Sequence, residues 1–232
     1  MLGFSPDEWT AIELSLRVAT VGTLVGLPAA VFLAYVLARW RFPGKVVLDG
    51  LLHLPLVLPP VVTGYILLLT FGRHGPIGKQ LYDLFGITFS FRWTGAALAC
   101  GVMGFPLMLR AIRLSFEAID RRLETAASTL GANAWWTFLL VTMPLALPGV
   151  LVGVILCFAK ALGEFGATIT FVSNIPGETQ TIPSAIYTYT QVPGGEGQAF
   201  RLACVSIAIA MLALIVSEIL NRRIQKRIAV FE

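Results

Sequence analysis

Long, nearly unbroken runs of apolar residues divide the chain into five segments, at 18–38, 51–72, 94–110, 137–162 and 202–220. At a rise of about 1.5 Å per residue, the first run makes a helix on the order of 30 Å long, enough to cross the hydrocarbon of a bilayer. The pattern predicts five transmembrane helices. The second run contains Pro55, Pro59 and Pro60. Each removes a backbone donor and kinks a helix, and the freed carbonyls must find partners in protein or in a wet cavity. That run is expected to face other helices rather than lipid. The third is expected to continue as a helix beyond the membrane, because Arg110 and Arg113 share one face. Two polar stretches interrupt the pattern. One is 73–93; the other, 117–136, carries Glu117, Asp120, Arg121, Arg122 and Glu124. Pro144 and Pro148 stand near the start of the fourth run.

Composition agrees with a lipid-embedded chain. Of 232 residues, 56% are hydrophobic and 13% charged, where soluble domains carry about 25% charged residues. The start, Met1 to Trp9, lacks the basic region and cleavage site of a signal peptide, so the first run is expected to remain as an anchor. Basic residues set the orientation. With the N-terminus outside, the cytoplasmic side receives eleven of them: Arg39, Arg41, Lys45, Arg110, Arg113, Arg121, Arg122, Arg222, Arg223, Lys226 and Arg227. The outside receives five, Arg17, Arg73, Lys79, Arg92 and Arg201, and Lys160 is left in the membrane. The asymmetry predicts N-out, C-in, and accounts for the net charge of +4 without an anionic partner. Trp9, Trp40, Trp93, Trp135 and Trp136 all fall near predicted span ends, as interfacial aromatics do.

Other features carry less. Cys100, Cys157 and Cys204 lie in apolar runs without metal-ligand spacing and read as small buried hydrophobes. His53 and His74 sit at opposite ends of the second run and read as structural. Gly22-x-x-x-Gly26 and Gly149-x-x-x-Gly153 have the spacing that lets helix backbones approach, a common and weak signal. No nucleophile–base set and no basic–aromatic nucleic-acid module is visible. Gly44-Lys45 is followed by Val46 and Gly78-Lys79 by Gln80, so neither forms a P-loop.

The segment 117–144 is the informative one. It contains Leu123-Glu124-Thr125-Ala126-Ala127-Ser128-Thr129-Leu130-Gly131, and after nine more residues Val141-Thr142-Met143-Pro144. A short helix here could dock into a groove on a soluble partner. Ala126 and Ala127 would allow close approach, Leu123 and Leu130 would fill apolar pockets, and Gly131 would let the chain turn. Arg121, Arg122 and Glu124 would form a polar rim. The plain alternative is an amphipathic connector at the membrane surface. The segment resembles the EAA loop of ABC-importer permeases, with Ala126, Ala127, Gly131 and Pro144 matching in spacing. The family's glutamate position is Thr125, and Glu124 precedes it by one residue, about 100° away around a helix.

The resemblance extends further. Phe42-Pro43-Gly44-Lys45, the run His53 to Val62, and Leu162 to Thr179 resemble the molybdate permease family, and the likeness covers nearly the whole chain. Sulfate permeases share Gly163-Glu164-Phe165-Gly166, whereas Ser173-Asn174-Ile175-Pro176-Gly177-Glu178-Thr179 favours molybdate. The resemblance implies an all-α, MetI-like transmembrane domain over 1–232, with five spans and a cytoplasmic coupling helix. It implies a homodimer joined to two ABC ATPase subunits and a periplasmic molybdate-binding protein, in the bacterial inner membrane. ATP and Mg would be used by the partner ATPase, and no cofactor is expected on this chain.

Residues after the fourth run are the candidate translocation pathway. Gly163 and Gly166 can break a helix, and Thr168, Thr170, Ser173 and Asn174 offer polar groups suited to a tetrahedral oxyanion. A folded external loop fits the same residues. Lys160 and Glu164, four apart, can pair on one helix face, either as a packing pair or as part of the pathway. Sulfate, tungstate and other oxyanions remain alternative substrates. A membrane-embedded enzyme would need a converging catalytic set, and a structural membrane protein would tolerate substitution at Gly131.

Overall fold

The computed structural model describes residues 3–228, which contain helices and no strand. In chain order these are α1 (Pro6–Arg39), α2 (Lys45–Val57), α3 (Pro60–Phe71), α4 (Pro76–Phe85), α5 (Trp93–Ala118), α6 (Arg121–Thr129) and α7 (Ala134–Thr137). A π-helical turn (Phe138–Thr142), α8 (Met143–Leu162), α9 (Gly166–Val172), α10 (Ile182–Thr190) and α11 (Glu196–Ile228) follow. The side chains of Arg222, Arg223, Lys226 and Arg227, which entered the charge count, lie outside the described ones.

Four helical units are long and apolar enough to cross a membrane: α1, α5, the continuous unit Ala134–Leu162, and α11. The second predicted span is broken rather than kinked. Residues 51–72 do not make one kinked helix; α2 and α3 form a pair bent by 114°. The cause is local. Leu58 and Pro59 each precede a proline, which disfavours helical backbone, and both are extended, at ψ 145° and 134°. α1 begins at Pro6 rather than near Val18, because Ser5 starts it with a full capping box. The Ser5 hydroxyl accepts the Glu8 N–H at 3.2 Å and the Glu8 carboxylate accepts the Ser5 N–H at 2.6 Å. α5 continues to Ala118, as the shared face of Arg110 and Arg113 implied.

The core is built around α5, which packs against α1 and α8. A Cβ on Gly22 would stand 2.5 Å from the Ala97 carbonyl oxygen, and one on Gly149 would stand 2.3 Å from the Ser115 side chain. The two small-residue pairs thus mark the α1–α5 and α5–α8 contacts. Cys100 and Cys157 are buried in this core, but Cys204 is exposed on α11, against the expectation for all three. At the N-terminal end of α1, the buried Glu8 carboxylate accepts two bonds from Arg201 at 3.0 and 3.1 Å, tying α1 to α11. The Ser15 hydroxyl accepts the Ile182 N–H at 2.7 Å and holds the start of α10.

Candidate coupling and translocation sites

α6 is a short helix between the ends of α5 and α7, with no buried residue. Asp120 caps its start by accepting the Arg122 N–H at 2.9 Å. Its end is a Schellman turn: Ala132 N–H donates to the Ala127 carbonyl at 3.1 Å and Gly131 N–H to that of Ser128 at 3.1 Å. Gly131 sits at φ 91° with open space around it, so the left-handed backbone, not crowding, requires glycine there. The turn expected from sequence is present.

Leu123, Thr125, Ala126 and Leu130 are all exposed around α6 and its end; Ala127 is half-buried. Leu130 is 89% exposed, a large apolar side chain left bare at the tip of the helix. The Thr125 hydroxyl donates only to the Arg121 carbonyl, at 3.1 Å. Glu124 departs from its expected place in a polar rim. Its side chain is 21% exposed and turns inward. One carboxylate oxygen accepts Arg39 Nη2 at 2.9 Å and the Thr142 hydroxyl at 2.9 Å. The shift of one residue from the family's position places this carboxylate on the inner side of the helix. Pro144 is exposed just inside α8, two residues past the π-helical turn.

Sequence reasoning missed Arg39 and Thr142. Arg39 had counted only as a topogenic charge, and Thr142 as filler in the Val-x-Met-Pro stretch. Nothing in their local sequence shows that they meet. Asn133, also missed, caps α7 by accepting the Trp136 N–H at 3.0 Å.

Across the membrane, the helix break expected at Gly163 and Gly166 is present: α8 ends at Leu162 and α9 starts at Gly166. Glu164 is buried, and its two oxygens have separate tasks. One pairs with Lys160 Nζ at 2.5 Å; the other accepts the Ala167 N–H at 3.0 Å and so caps α9. The pair therefore closes a helix break. Thr168 is buried with its hydroxyl on the Phe165 carbonyl at 2.9 Å, and the Thr170 hydroxyl donates to Gly166 at 2.8 Å. Asn174 donates to the Thr188 hydroxyl at 2.7 Å. Ser173 is exposed at φ 66° and ψ −161°, a region occupied almost solely by glycine. The structure brings 160–174 together as one folded segment at the end of α8. It turns Thr168 into protein, and leaves Ser173 and parts of Thr170, Asn174 and Lys160 accessible. α9 is wedged against α3, where a Cβ on Gly64 would stand 2.5 Å from the Ala167 carbonyl oxygen. Gly64 was another residue that the sequence pattern did not single out.

Several crossing helices, a broken span and a short exposed helix on the side of the α5 and α1 C-termini define a multi-pass membrane protein. The chain belongs to the family of binding-protein-dependent transport system inner membrane components, whose model matches residues 26–227. It is 60% identical over 220 residues to the molybdenum transport system permease protein ModB of Escherichia coli (strain K12), covering 95% of this chain and 96% of the relative. Its fold is similar to a bacterial ABC transporter involved in import of the acidic polysaccharide alginate, with TM-score 0.69 and 18% identity over 96% of this chain and 80% of that one. The inward-facing MetNI methionine ABC transporter is similar at TM-score 0.67 and 14% identity, over 94% of each chain.

Proposed function

We propose that this chain is the pore-forming permease subunit of an ATP-driven molybdate importer. Membership of the importer-permease family and 60% identity to a molybdenum permease over nearly the full length carry this reading. The chain supplies no nucleotide-binding loop, so a separate ATPase must supply the energy. α6 is the docking element for that ATPase. Its apolar outward face, with Leu123 and Leu130 exposed, suits insertion into a groove, and the rigid turn at Gly131 holds the helix at a set angle. The working assembly is a homodimer with two ATPase subunits and a periplasmic binding protein in the inner membrane. The ATPases use ATP and Mg.

Each step then follows from differential contact in two states. A loaded binding protein meets the outer ends of the helices. ATP closes the ATPase pair, α6 carries that movement to the spans, and the pore changes from inward-facing to outward-facing. Molybdate passes between two copies of this chain, near the folded segment that holds Lys160, Glu164, Thr170, Ser173 and Asn174. Hydrolysis resets the assembly.

Proteoliposomes containing this chain, its ATPase and its binding protein test the reading. Labelled molybdate uptake should require ATP and resist excess sulfate. Equal uptake of both ions would leave an oxyanion permease without the selectivity. No ATP-driven uptake of either ion by an assembled complex would overturn the substrate.

A further inference from the structure

Glu124 has a use that a docking surface does not explain. The Arg39 side chain is 8% exposed at the C-terminal end of α1. Besides meeting Glu124, its Nη1 and Nη2 both reach the Ile119 carbonyl, each at 3.4 Å, at the C-terminal end of α5. The Thr142 hydroxyl, on a buried residue in the π-helical turn that opens into α8, closes the set on the same Glu124 oxygen. Four elements therefore meet through three side chains: α1, α5, α6 and the turn leading into α8. An aromatic layer fastens three of them, α1, α5 and the turn. Tyr35 of α1 packs edge-on against Phe116 of α5 at 5.5 Å and Phe138 of the π-helical turn at 5.1 Å. π-helical turns are uncommon and concentrate at functional sites.

We infer that Arg39, Glu124 and Thr142 form a rigid joint that makes α6 move as one body with the cytoplasmic ends of α1, α5 and α8. This rests on the reading of α6 as the ATPase-docking element. Glu124 is then a positioning residue facing its own chain, while the outward face of α6 meets the partner. A helix of nine residues, joined to the core only by short loops, would otherwise swing when pushed. The half-buried, charge-assisted joint resists that swing, because separating the charges leaves each without its partner where water reaches only in part. Losing the joint uncouples ATP use from transport rather than releasing the ATPase.

The assembled transporter tests this with Arg39→Gln, Glu124→Gln, Thr142→Val and the Arg39→Gln/Glu124→Gln double variant. Molybdate uptake per ATP hydrolysed is expected to fall roughly tenfold in either charge variant, within the range by which single network residues shift a coupling. The ATPase should still co-purify. The double variant should be no worse than either single one, and Thr142→Val should act more weakly in the same direction. A Glu124→Gln variant that loses the ATPase, as Leu130→Ser is expected to do, or keeps uptake per ATP unchanged, would overturn the joint. A readout independent of transport uses spin labels at Arg41→Cys and Ser128→Cys in a Cys204→Ser background. The distance distribution should be narrow with Glu124 present and broad in Glu124→Gln; equal widths also overturn it. Wild-type assemblies that show no ATP-driven uptake, with the narrow distribution intact, would instead sink the functional reading and leave the joint standing.

Discussion

α5 and the α2–α3 pair have similar apolar character and opposite surroundings. In the most apolar stretch of α5, 61% of positions are buried within this one chain. α2 has no buried residue, and α3 buries only Thr63, Gly64 and Leu67. The contrast follows from contact geometry. α5 lies between two helices of its own chain, and glycines on both neighbours bring the backbones together. The bent pair touches the core through Leu48 and Leu52 at one end and through the Gly64–Ala167 crossing at the other. It leaves Val47, Val57, Val61 and Leu69 more than half exposed. In a bilayer, apolar exposure costs nothing, so burial is decided by backbone approach and polar contacts. α5 is the frame, and the bent pair is the part free to meet lipid or a second chain.

The sharpest attempt to break this contrast is Gly149→Leu. Its side chain would overlap Ser115 and the Ala111 carbonyl on the frame. It should cost several kcal/mol, above the roughly 1–3 kcal/mol of ordinary overpacking, and abolish a monodisperse peak in size-exclusion chromatography. Gly64→Leu tests the attachment of the bent pair. Its side chain would strike the Ala167 backbone and push α3 from α9. A loss of about 1–3 kcal/mol is expected, read as a lower thermal midpoint in a chain that still elutes as one species. Val47→Ser probes the free face and should change the stability of the isolated chain by no more than about 0.5 kcal/mol. A large loss there would mean that this face is packed within the chain itself. If Gly64→Leu proved as damaging as Gly149→Leu, the division into frame and bent pair would fail.

Much of the fold was legible because a membrane simplifies the code. A run of some twenty apolar residues must become a helix, since every backbone group needs a partner, and four of the five predicted spans are single long helical units. The second breaks more sharply than the expected kink, for a physical reason. Three prolines within six positions were read as kinks, whereas two consecutive residues preceding proline are enough to stop helical backbone. The helix within 117–144 was legible because its signals are local. Asp120, Ala126, Ala127 and Gly131 act within one short helix and its turn. The segment 160–174 was half legible: Gly163 and Gly166 showed the break, but not that the Glu164 carboxylate would cap the next helix or that Thr168 would turn inward.

The sequence by itself determined what hydrocarbon and local backbone chemistry dictate: the crossing segments, the short helix at 121–129 and the turn that ends it. Only the tertiary structure decided which residues meet. Arg39 and Glu124 are 85 positions apart, and Glu8 and Arg201 are 193 apart. Their pairing depends on how α1, α5 and α11 pack, a property of helix surfaces rather than of any local pattern. Likewise, one residue of register separates Glu124 from the family's glutamate position. Whether that turned the carboxylate toward a partner or toward the chain was settled by the presence of Arg39 and Thr142 on the inner side.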